Sequence, residues 1–211
     1  MARGLRVRVA NCLKAGFWFP LFERFVNFLY TRISLGYHFK NWLTVGREAP
    51  RGAAELYQVL VILVGAMLLA LVTARARSMA PPQLPTIVAG LLAAYLVSDL
   101  LIFSLHWTFV ADRKLKSYRR SLATFLLNLV VEIPLLFTVL LAALGCFAPA
   151  QLPWEAIYLT LTATLSVQLV AVPPIGLCDG VAHYEVFVSV VVLGIIVASI
   201  VGAVIRKEKP A

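Results

Sequence analysis

Long apolar runs alternate along this chain with short polar or basic stretches. The runs cover residues 57–74, 85–110, 121–146 and 186–205. Each reaches or approaches the roughly 20 residues that cross about 30 Å of hydrocarbon. Lipid offers no hydrogen-bond partners, so each run must satisfy its backbone amides internally, as a helix. The pattern predicts an all-α membrane protein with four transmembrane helices. Composition agrees: 61% hydrophobic and 14% charged residues, with mean hydropathy +0.89, leave too little polar surface for a soluble domain of 211 residues.

Ahead of the first run, residues 17–32 (FWFPLFERFVNFLYTR) set Phe22, Phe25, Val26 and Leu29 on one helical stripe, with Glu23, Arg24, Asn27 and Thr31 largely elsewhere. This predicts a helix lying along the membrane interface, the alternative being a cytoplasmic segment packed on its own neighbours. The start is basic (Arg3, Arg6, Arg8, Lys14), but Pro20, Glu23 and Arg24 interrupt the apolar patch and no small-residue cleavage site follows. The N-terminus is therefore expected to be retained.

Charge gives orientation. Residues 1–56 hold nine Lys and Arg, the 111–120 loop five and the tail after 205 three, whereas the 75–84 loop holds two and residues 147–185 none. With 17 of 19 basic residues on one side, both termini and the 111–120 loop belong in the cytoplasm. The net charge of +9 then reflects topology and anionic lipid, not a nucleic-acid partner.

Residues 147–185 lie on the opposite side and do not read as an ordinary loop. Pro153 suits a first helical turn, and Glu155 faces the positive end of the helix dipole. Residues 154–166 then rise only about 20 Å, too short to cross, and the chain returns through AVPPIG. A short descending helix and an irregular return make a re-entrant loop, tolerated in a membrane only where protein or water shields it.

From about 121 to 207, this order of outer helix, pore helix WEAIYLTLTATLS, loop and inner helix VFVSVVVLGIIVASIVGAVIRK resembles the pore domain of the two-helix potassium channel superfamily. The family's filter, Thr-Val-Gly-Tyr-Gly-Asp, falls on Ser166, Val167, Gln168, Leu169, Val170 and Ala171, and Pro174 takes the place of its proline. Only the valine and the hydroxyl survive. Gln168 and β-branched Val170 resist the backbone angles that the family's glycines accept, so rings of carbonyls replacing potassium's hydration shell are not expected. A wider constriction lined by Ser166 and Gln168, or a plugged loop, remains. The resemblance implies a homotetramer and a gating hinge near Gly194, which with Ala198 and Gly202 also forms a small-residue stripe suited to plain helix packing.

Asp99, Asn128 and Glu132 interrupt the apolar runs and are expected to meet one another, as a structural contact, a gating or pH-sensing element, or an ion or proton path. Glu155, Asp179 and Glu185 are candidate cation-attracting residues of an outer vestibule, on a segment that carries no Lys or Arg. Cys146 and Cys178 share that side, either bridged or as two thiols. The histidines (His38, His106, His183) lie on separate segments and no catalytic, metal or cofactor motif is present, so an enzyme is not expected. The chain thus reads as an N-terminal segment (1–56), a two-helix unit (57–110) and a channel-like pore domain (111–211). Its expected function is a tetrameric cation channel of the cell membrane with a non-standard filter. The rival is a non-conducting structural or signalling subunit on the same scaffold; a transporter lacks the repeated halves.

Overall fold

The computed structural model describes residues 18–43, 53–78, 84–109, 118–166, 169 and 176–207, and every regular element among them is helical. In chain order these are α1 (Trp18–Arg32), α2 (Leu35–Leu43), α3 (Ala53–Arg77), α4 (Leu84–Phe109), α5 (Tyr118–Leu127), a π-helical turn (Asn128–Glu132), α6 (Ile133–Ala143), a 3-10 turn (Pro149–Gln151), α7 (Trp154–Ser166) and α8 (Leu177–Lys207). Four spans are long and apolar enough to cross a membrane: Glu55–Arg77, Leu84–His106, Leu122–Ala143 and Leu177–Ala198. The protein is an integral membrane protein.

The third span is the hub. It is 72% buried, against 28% to 39% for the other three, and α6 packs on α3, α4, α7 and α8 at once. Phe125, Ile133, Leu136, Phe137 and Leu141 on this span are almost fully buried. One continuous core runs through it from the two-helix unit into the segment read as a pore domain. The π turn has a local cause. Pro134 has no N–H to offer the preceding turn and its ring crowds the carbonyl four residues back. The helix absorbs this by widening, and the Ile133 N–H reaches the Asn128 carbonyl.

Lipid tails are as apolar as leucine, so these helices associate through close packing, not through exclusion of water. Small residues set the approach. A β-carbon on Gly65 of α3 would stand 2.9 Å from Leu135 Cδ2, and one on Gly90 of α4 would stand 3.1 Å from Ala143 Cβ. Leu135 is a flexible neighbour, so Gly65→Ala should be tolerated. Gly65→Leu has no such room and should cost about 1 to 3 kcal/mol, read as a lower unfolding temperature in detergent. Equal unfolding temperatures for the Leu variant and the parent would contradict this contact between α3 and α6.

The fourth helix begins earlier than the apolar run suggests, at Leu177 and not near 186. Its first turns carry Asp179, His183 and Glu185, which broke the hydrophobic pattern without breaking the helix. At the other end of the chain, α1 exists, but its buried edge is Val26 and Tyr30, while Leu21, Phe25 and Phe28 point outward. Tyr30 stacks on His106 at 3.7 Å between ring centres, and the Ile33 carbonyl accepts a 2.6 Å bond from the Tyr95 hydroxyl. Burial, with Asp99 nearby, pushes the Tyr30 hydroxyl up to about 12.

Candidate functional site

Two features outside ordinary helix packing carry chemistry: the short helix α7 and a buried polar cluster around the π turn. α7 starts after Pro153, where a proline costs no intrahelical hydrogen bond, and its 13 residues rise about 20 Å. Ala156, Thr160, Ala163 and Thr164 form its buried face. The fully buried Thr160 hydroxyl donates to the Pro134 carbonyl at 3.1 Å and lies 2.7 Å from the Thr138 hydroxyl. Pro134 is nine residues, about 14 Å, along α6 from its Ala143 end. The middle of α7 thus lies well down the side of a spanning helix.

One turn further, the Thr164 hydroxyl donates to Glu185 Oε1 at 2.9 Å and ties α7 to α8. Glu185 therefore does not stand at an outer mouth: it is fully buried between these two helices, and its Oε2 has no hydrogen-bond partner. The apolar pattern alone puts it at the end of a loop, because Asp179, His183 and Glu185 itself mask the start of α8. Glu155 and Asp179 are exposed, with Asp179 3.6 Å from His183 one helical turn on. Among the filter candidates, Ser166 closes α7 with its hydroxyl on the Thr162 carbonyl, and Leu169 is half exposed. Val167, Gln168 and Val170 lie outside the described residues.

At the same end of the bundle, Cys146 and Cys178 are joined by a disulfide that links the chain after α6 to the first turn of α8. Arg77 at the end of α3 donates to the Leu152 carbonyl at 3.3 Å nearby. Gly194 is exposed, with open space where a side chain would stand, on a face of α8 shared with Val190, Val197 and Val201.

The second feature brings Asn128 and Glu132 together and adds α3. The Gln58 and Asn128 amides meet at 2.6 Å. With the Asn128 amide turned so that its nitrogen meets acceptors, it donates to Glu132 Oε2 at 3.1 Å and to the Thr124 carbonyl at 3.0 Å, and Gln58 turns its own amide oxygen to it. Asp99 is engaged by the Tyr57 hydroxyl, also from α3. Asp99 and Glu132 are 1% and 3% exposed, and each keeps one carboxylate oxygen, Oδ1 and Oε1, without a hydrogen-bond partner. Sequence reading missed Tyr57 and Gln58. They open the first apolar run, where polar residues read as its edge, and only their depth against the π turn gives them a role. Among the described residues no group of three or more His, Cys, Asp or Glu could hold a metal ion.

Comparison with protein-family profiles, with curated proteins and with solved structures finds no match to this chain.

Proposed function

We propose that the chain is one subunit of a homotetrameric cation channel built like the pore domain of the potassium channel superfamily, with α7 as a re-entrant pore helix and residues 166–170 as a divergent filter. The observation that carries this reading is the Thr160 bond to Pro134, by which a helix too short to cross packs against the middle of a spanning helix. An irregular return from that depth needs protein or water around it, and copies arranged about an axis supply both.

Surface character supports the same arrangement. The outward face of α7 sets Glu155, Thr162 and Ser166 beside Trp154, Tyr158 and Leu165, and its polar members suit a water-facing path better than lipid. On α8, exposed Gly194 and Ala198 allow a neighbouring helix to approach closely. The apolar outer face of α1 suits the interfacial position read from the sequence. Basic residues on the opposite side set both termini in the cytoplasm of a cell with this protein in its plasma or inner membrane. Exposed Glu155 and Asp179, repeated in each subunit, attract cations to the entrance. A second reading, a non-conducting membrane subunit, is favoured by Gln168 and Val170, which stand where the resembled filter has glycine.

Recording purified protein in planar bilayers separates the two. Discrete, cation-dependent current steps are expected from particles with the mass of four chains by light scattering. Ser166→Cys should then lose current when a charged thiol reagent is added from the outer side. Electrical silence across voltage and pH, or a stable monomer, would reject the channel.

A further inference from the structure

The polar cluster around the π turn borders a partly open cavity of about 20 Å³, lined by Tyr57, Gln58, Asn128 and Glu132 against Val61, Leu96, Leu100 and Phe103. That volume has room for one water or one small ion. Its lining supplies oxygen from a carboxylate, two amides and a phenol, with no Lys or Arg among them. Glu132 is 3% exposed, and its Oε1 lacks a hydrogen-bond partner. Asp99, held by Tyr57 just behind the lining, brings a second carboxylate.

Two carboxylates within membrane-spanning helices, at a cavity whose lining has no Lys or Arg, are costly, because lipid and protein screen charge poorly. Hard oxygen donors answer that cost by binding a hard cation. Divalent ions do not suit the space: calcium takes 6–8 ligands and magnesium keeps several waters. The π turn matters here, since it sets the Asn128 amide against Glu132 Oε2 and leaves Oε1 free for a ligand.

We propose that the cavity between α3, α4 and the π turn binds one sodium ion, with Glu132 as its principal ligand. Tyr57, Gln58 and Asn128 complete the oxygen shell, and Asp99 supplies the second negative charge. The groups that face Glu132 are Asp99 of α4 and Tyr57 of α3. On α8, Glu185 is engaged by Thr164, and Tyr184 lies 3.4 Å from Ser98. The site sits apart from α7, and its test reads stability, not current, so it stands or falls independently of the channel reading.

The test is thermal unfolding of the purified protein in detergent, with choline chloride exchanged for sodium chloride at constant ionic strength. At about pH 8, saturating sodium should raise the unfolding temperature by about 5 °C, potassium should raise it less, and protons should compete as the pH falls. Stabilisation that follows the proton concentration alone, with no response to sodium, overturns the site and leaves Glu132 a buried carboxyl that takes up a proton. The sodium response must disappear in Glu132→Gln, which keeps the shape and removes the charge; should that variant not fold, Asp99→Asn must weaken it. A parent protein that responds to neither ion, or a response of equal size in the variant, overturns the site.

Discussion

Cys146→Ser and Cys178→Ser should each lower stability by about 3 to 4 kcal/mol and the unfolding temperature by about 10 °C. The two cysteines are 32 residues apart, so their bond closes a long loop and removes many conformations from the unfolded chain. That loop contains the whole of α7. The double variant should lose no more than either single one, because each already breaks the same bond. Thermal unfolding with and without reductant checks the magnitude, and electrophoresis without reductant should show one mobility shift for all three variants. Labelling of both thiols in unreduced protein would exclude the bond.

Glu185→Leu should have the second large effect, because it removes the acceptor that fastens the lower part of α7 to α8. Thr164 is buried at 1% exposed, and leaving its hydroxyl without Glu185 costs about 1 to 3 kcal/mol. Glu185→Gln keeps an acceptor oxygen in the same position and should stay close to the parent. Under the proposed function the consequence for current is larger than that for folding, since Ser166 follows Thr164 by only two residues. The Leu variant should lose most of its current in planar bilayers while the Gln variant conducts. Leu and Gln variants with the same unfolding temperature and the same current would mean that this bond anchors nothing.

Glu185 also marks a limit of reading a membrane chain by its apolar runs. A carboxylate near the boundary of such a run reads as the residue that ends it, and Asp179 and His183 strengthen that impression. Nothing local reveals that Thr164, on another helix, donates to Glu185 and keeps it inside. Tyr57 and Gln58 were overlooked for the same reason, as polar residues at the edge of α3. The bounds of α7, by contrast, are legible residue by residue, because Pro153 starts a helix without losing a hydrogen bond and Ser166 ends the helical pattern ahead of Pro173 and Pro174.

The sequence by itself determined that the chain lives in lipid and spans it four times, because hydrophobic length over about 20 residues leaves a helix no other place to go. It also determined that Asp99, Asn128 and Glu132 need partners, since charge and amide groups in a span must find them. Which partners they find was decided only by tertiary structure. The π turn ahead of Pro134 rotates Asn128 toward Glu132, close packing at Gly65 holds α3 against the third span, and Tyr57 and Gln58 thereby reach groups 42 and 70 residues away. Periodicity along one helix records which residues share a face. It holds no information on the packing of separate helices, and that packing sets whether a buried carboxylate meets a hydroxyl, an amide or an empty cavity.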